Sequence, residues 1–214
     1  MPVEEVLEGI VRDADRSLSV SGFRRSKHYF FREAGDAVHR VAFSFRKVRG
    51  EDFGWLSVTV CVGFRPLAEF LRGFAEVELD SKRPCMMATD LGHLSPPCNF
   101  HEWRLDSQPN AIVASEILER LSVHGLRYFE TYGQLPAAVA AWESGINFNA
   151  GYFAQIYACA YYALQGQRER VTNELKKIIA DCDAEFRKTG QRAALNQKGI
   201  FEEFLAFCTT KATG

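Results

Sequence analysis

The sequence predicts an α+β fold: an N-terminal helix packed on a three- to four-stranded antiparallel meander, followed by a helical C-terminal third. Three observations predict it. Between Ser26 and Phe64 apolar and polar residues alternate with period 2, the repeat of a half-buried strand. From Val3 to Leu18 the apolar residues recur with the helical period of 3.6. From Phe153 onward the helical repeat returns without strand patterning.

Val3, Val6, Leu7, Ile10, Val11, Ala14 and Leu18 form one helical stripe, and Glu4, Glu5 and Glu8 occupy the early turns, where the helix dipole favours negative charge. Ser21-Gly22 ends this helix. The meander follows as Ser26 to Arg32, Val38 to Lys47 and Trp55 to Phe64, with a hairpin turn at Ala34-Gly35-Asp36 and a longer glycine-bearing loop from Val48 to Gly54. In the third strand Leu56, Val58, Val60, Val62 and Phe64 point to the core, and Trp55, Ser57, Thr59 and Cys61 point away. In the second, Val41, Phe43 and Phe45 share the core face, leaving Arg40, Ser44 and Arg46 on the wet one.

Pro66 suits the first turn of a short helix carrying Leu67, Phe70, Leu71 and Phe74. From Val77 to Pro109 the periodicity weakens, with a fourth strand expected within Phe100 to Leu105. Helices resume at Ala111 to His124, continue briefly to Phe129, and restart at Pro136. Three further helices are expected, with stripes at Phe153 to Leu164, Val171 to Phe186 and Phe201 to Cys208, separated by Gln165-Gly166 and Gly190. The expected organisation is an α+β domain over 1–133 and a helical extension over 134–214.

A length of 214 residues can bury an adequate core, and 47% hydrophobic with 25% charged residues excludes a disordered class. A net charge of −1 argues against a nucleic-acid coat. No apolar run approaches the roughly 18 residues of a membrane span, and the acidic N-terminus does not read as a secretory signal. A cytoplasmic location is therefore expected, with all six cysteines as reduced thiols; Cys159, Cys182 and Cys208 fall on helical apolar faces.

Gly22-Phe23-Arg24-Arg25, Tyr29-Phe30-Phe31-Arg32, the run Val41 to Lys47 and the run Val58 to Gly63 together resemble an uncharacterised, mainly bacterial family catalogued as a domain of unknown function. The resemblance covers roughly residues 5–133 and implies an α+β fold with the meander at its centre. It implies no activity, cofactor or catalytic residue.

Between Arg24 and Arg49 eight basic residues face two acidic ones, a segregation of charge inside a near-neutral chain. Guanidinium groups beside aromatic rings can hold carboxylates or phosphates. The expected binding surface is the wet sheet face, with Arg24, Arg25, Tyr29, Arg40, Ser44, Arg46 and Trp55, and the expected partner is an acidic protein or a small anionic ligand. The competing reading is a solvated strand face whose cations protect the sheet edge. The alternative function is an enzyme on a small acidic substrate using the 85–105 segment, with His101 and Glu102 as acid and base near Asp90. Cys85, His93, Cys98 and His101 are zinc-ligand types, but no paired Cys-x-x-Cys knuckle supports a metal site, and ordinary loop residues account for them. No cofactor is implied.

Overall fold

The computed structural model describes residues 2–107, 111–146, 148 and 150–211. In chain order its elements are α1 (Val3–Val20), β1 (Arg24–Ser26), β2 (Tyr29–Ala34), β3 (Ala37–Lys47), β4 (Phe53–Phe64), α2 (Arg65–Phe70), β5 (Met87–Asp90), α3 (Leu91–Leu94), β6 (Trp103–Asp106), α4 (Ala111–Arg120), a π-helical turn (Leu121–Gly125), α5 (Leu126–Tyr132), α6 (Leu135–Glu143), α7 (Phe153–Leu164), α8 (Arg168–Thr189) and α9 (Arg192–Lys211). The fold class is α+β, as the sequence predicts. The chain forms two compact units, Met1–Phe64 with Cys85–Ala138, and Arg65–Pro84 with Val139–Gly214.

The first unit is built on an antiparallel sheet of six strands in the order β1-β2-β3-β4-β5, with β6 also on β4. The free edge of β4 is divided: β5 pairs with Thr59 to Val62 and β6 with Phe53 to Leu56. The expected meander is present but richer. The first expected strand is two strands, because Lys27 adopts a left-handed φ of 57° and reverses the chain between Ser26 and Tyr29. A lysine carries no turn signal, so sequence alone runs the strand straight through. Gly35, with φ 60°, closes the expected hairpin between Ala34 and Ala37.

Register fixes the two faces. Val41 opposes Val60, Phe43 opposes Val58 and Phe45 opposes Leu56, so the valine ladder turns inward as expected. Leu56, Val58, Val60 and Val62 are fully buried. Burying side chains of this size contributes roughly 1.5–3 kcal/mol each. α1 covers this face with its whole predicted stripe, Val3 to Leu18. The π-helical turn also sits on it, with Gly125 against Val60 and Leu91.

One expectation on the outer face is overturned. Cys61 is fully buried and bonded to Cys85, their Cα atoms 5.8 Å apart, so these two cysteines are not reduced thiols. The bond forms because Met86 N donates to Val62 O, which sets the returning chain beside β4. Cys98, Cys159, Cys182 and Cys208 remain free.

The second unit is helical. Residues 65–84, assigned from sequence to the 1–133 domain, belong here because Phe74 packs on Phe204 and Phe207 at ring separations of 5.0 and 5.4 Å. α8 and α9 form an antiparallel hairpin, closed where Gly190 takes φ 66° and its N–H returns to Phe186 O. Glu143 accepts from the Tyr162 hydroxyl and from Arg170 at 2.6 Å, and the Arg170 guanidinium lies 3.6 Å from the Tyr162 ring centre. No helix among the described residues is long and apolar enough to cross a membrane.

Candidate functional site

Across the outer face of the first unit the pairing register arranges side chains in rows. Arg24, Phe31, Arg40 and Cys61 form one row, and Ser26, Tyr29, Ala42 and Thr59 the next. Ser44 beside Ser57 follows, and then Arg46, Trp55 and Arg104. Two guanidinium-bearing rows thus flank a strip of small and hydroxylic residues. Arg40 and Arg46 are six residues apart on one strand, a separation of about 20 Å at the strand rise. No single small anion bridges them.

The expected residues divide accordingly. Arg46 stands directly beside Trp55, as the register argument requires, and its side chain is 68% exposed. Glu102 reaches Arg46 at 3.5 Å, and Asp106 holds Arg104 at 3.1 Å, so this row carries its own counterions. Arg40 is half-buried. Arg25 departs from the expectation: it opposes Phe30, a core residue, and therefore belongs to the inner face. There it donates to Glu8 of α1 at 2.6 Å. That hydrogen bond holds the Glu8 carboxyl below its usual range, as the Lys47 bond does for Glu4. The alternation count from Arg24 misses this because the chain reverses at Lys27.

Arg25, Tyr29 and Ser44 do meet. With Glu8, Lys27, His28, Phe43 and Phe45 they line an open concavity of about 570 Å³. Tyr29 is 45% exposed at its rim, stacked beside Phe31 at 6.2 Å. Arg24 and Lys27 are exposed, and neither forms an ion pair among the described residues. The floor is an unfinished sheet edge. Phe43 N donates to His28 O at 2.9 Å, and beyond it β3 continues to Lys47 with β4 as its only strand neighbour among the described residues. Ladder bonds alternate sides, so Phe45 and Lys47 direct their N–H and C=O groups to that open edge. His28 and this edge were not singled out from sequence; a strand five residues shorter than its neighbour is visible only once pairing is known.

The 85–105 segment is built differently. Asp90 ends β5 and caps α3, its Oδ1 accepting from Gly92 N at 2.8 Å and from His101 N at 3.3 Å. Burial raises its pKa, partly offset by those two bonds. The His101 ring packs on Trp103 with its Nε2 4.0 Å from Glu116, whereas Glu102 turns to Arg46, so the expected acid–base pair diverges. Cys85 is consumed by its disulfide, and among the described residues no group of three His, Cys, Asp or Glu is placed to hold a metal.

One buried polar cluster was not anticipated. His39 alternates in phase with Val41 and Phe43, which puts it inside, 3% exposed and stacked on Phe129 at 4.7 Å. Its Nδ1 accepts from Arg32, 2.9 Å away, which fixes the Nε2–H tautomer. Burial, and then the neighbouring Arg32 charge, lower its pKa to about 4. Comparison with family models, with curated proteins and with solved structures finds no match to this chain.

Proposed function

We propose that the protein is a noncatalytic binding module that recognises an acidic protein partner, taken as an extended segment laid along the open edge of β3. The observation that carries this reading is the concavity in which exposed Tyr29 and the unpaired cation Lys27 adjoin strand groups at Phe45 and Lys47 facing outward. An unpaired edge accepts an added strand through main-chain bonds, and alternate side chains then choose among sequences. Acidic side chains suit the flanking cations and the Tyr29 ring edge. Exposed ion pairs contribute about 0.2–1 kcal/mol each, so micromolar and salt-sensitive affinity is expected.

The test is fluorescence anisotropy with a labelled decapeptide of alternating glutamate and valine. Saturable binding, weakened about tenfold or more by Lys27→Glu with Tyr29→Ala, supports the reading. Equal binding of the lysine–valine counterpart, or none of the glutamate peptide at millimolar protein, defeats it.

A further inference from the structure

The helical unit contains a second cavity, of about 420 Å³, walled by α2, α7, α8 and α9. Its apolar surface comes from Phe70, Leu164, Val171 and Leu205, and its ionisable rim from Arg168 and Lys211. The volume falls in the range of small-molecule sites, which pair apolar walls with a few placed polar groups. Among the described residues no carboxylate lines it. Cys208 also contributes, and burial pushes that thiol up to about 12, so it stays neutral. Thr172 and Thr209 complete the polar part.

Lys211 is fixed in place. Its Nζ donates to Phe70 O at 2.7 Å and to Arg72 O at 3.3 Å, and lies 5.5 Å from the Phe70 ring centre and 5.1 Å from that of Phe207. An ammonium carries three donors, and two are used here. The rim is therefore a positioned cation above an apolar chamber.

We infer that this cavity binds a medium-chain aliphatic carboxylate, with the chain against Val171 and Leu205 and the carboxylate at Lys211. At about 30 Å³ per non-hydrogen atom the space holds on the order of a dozen such atoms, the size of decanoate. Each buried methylene contributes roughly 0.8 kcal/mol, so affinity grows with chain length until the chamber is full. This site lies wholly in the helical unit and is independent of the peptide edge in the sheet unit.

The experiment is isothermal titration of the intact protein with hexanoate, decanoate and decyltrimethylammonium. Decanoate is expected to bind with one site per chain and at least about tenfold more tightly than hexanoate, while the ammonium amphiphile gives no saturable heat. Leu164 is 42% exposed at the mouth, so Leu164→Glu leaves the buried wall intact and is expected to weaken decanoate about tenfold or more through like-charge repulsion. Lys211→Gln should do the same. Equal affinity for the ammonium amphiphile, or unchanged decanoate binding in both variants, overturns the inference. Tight binding to phosphatidylglycerol vesicles that decanoate does not displace overturns it too, since the bound group is then a lipid surface and not the free acid.

Discussion

The two units solve the burial problem in opposite ways. In the sheet unit, His39, Thr89, Asp90 and Ser95 are buried among apolar side chains. In the helical unit every buried described residue is apolar, aromatic or a thiol, and aromatic rings pack from Phe70 of α2 onto Phe207 and Phe204 of α9. A helix satisfies its own backbone and asks only for an apolar stripe. A sheet with strands of unequal length leaves ends, edges and loop crossings that polar side chains must close. Hence the sheet unit carries pH-sensitive groups and an open edge, while the helical unit carries a chamber.

The largest expected effect sharpens this contrast from the apolar side. Phe204 is fully buried against Phe74, and Phe204→Ala is expected to cost about 3–5 kcal/mol. Chemical denaturation at pH 7.5 and at pH 5 should give the same loss; a loss that depends on pH would mean the helical core also rests on titrating groups.

Next comes the disulfide, which closes a loop of sequence separation 24. Cys61→Ala with Cys85→Ala is expected to lower stability by on the order of 3 kcal/mol, chiefly through a freer unfolded chain. Thiol titration of the denatured, unreduced protein should count the four free cysteines; six would show that the bond is absent.

Acid should then separate the units. The unfolded imidazole takes up a proton near pH 6.5 that His39 in the folded state refuses until about 4. Its share of stability is complete above pH 6.5 and shrinks as pH falls toward 4. Between pH 7.5 and 5 the loss is about 2 kcal/mol. His39→Asn keeps an acceptor for Arg32 and cannot titrate, so its stability should be nearly flat over that interval. Amide exchange in β3 follows the change in the parent protein; equal acid sensitivity in the variant would assign it to another group.

The smallest effect concerns the rim of the concavity. Arg25 and Glu8 form a partly exposed pair, and Glu8→Ala is expected to cost less than about 1 kcal/mol. A thermal shift of many degrees would show that α1 depends on that one contact.

Regular stretches were readable from the chain itself. The stripe from Val3 to Leu18, the inward ladder Leu56 to Phe64, the placement of Arg46 beside Trp55, and the helices α7 to α9 follow from repeats of 3.6 and 2, which are set by neighbouring residues along the backbone. The strand β5, the bridge from Cys61 to Cys85, the inward turn of Arg25, the burial of His39 and the transfer of residues 65–84 to the helical unit were not. Each depends on which distant segment arrives alongside, and a four-residue strand or a single reversal at Lys27 leaves too short a pattern to announce itself. Local periodicity decides what a segment becomes; long-range pairing decides which of its faces meets water, and with that which strand edge stays open and where a cavity is left.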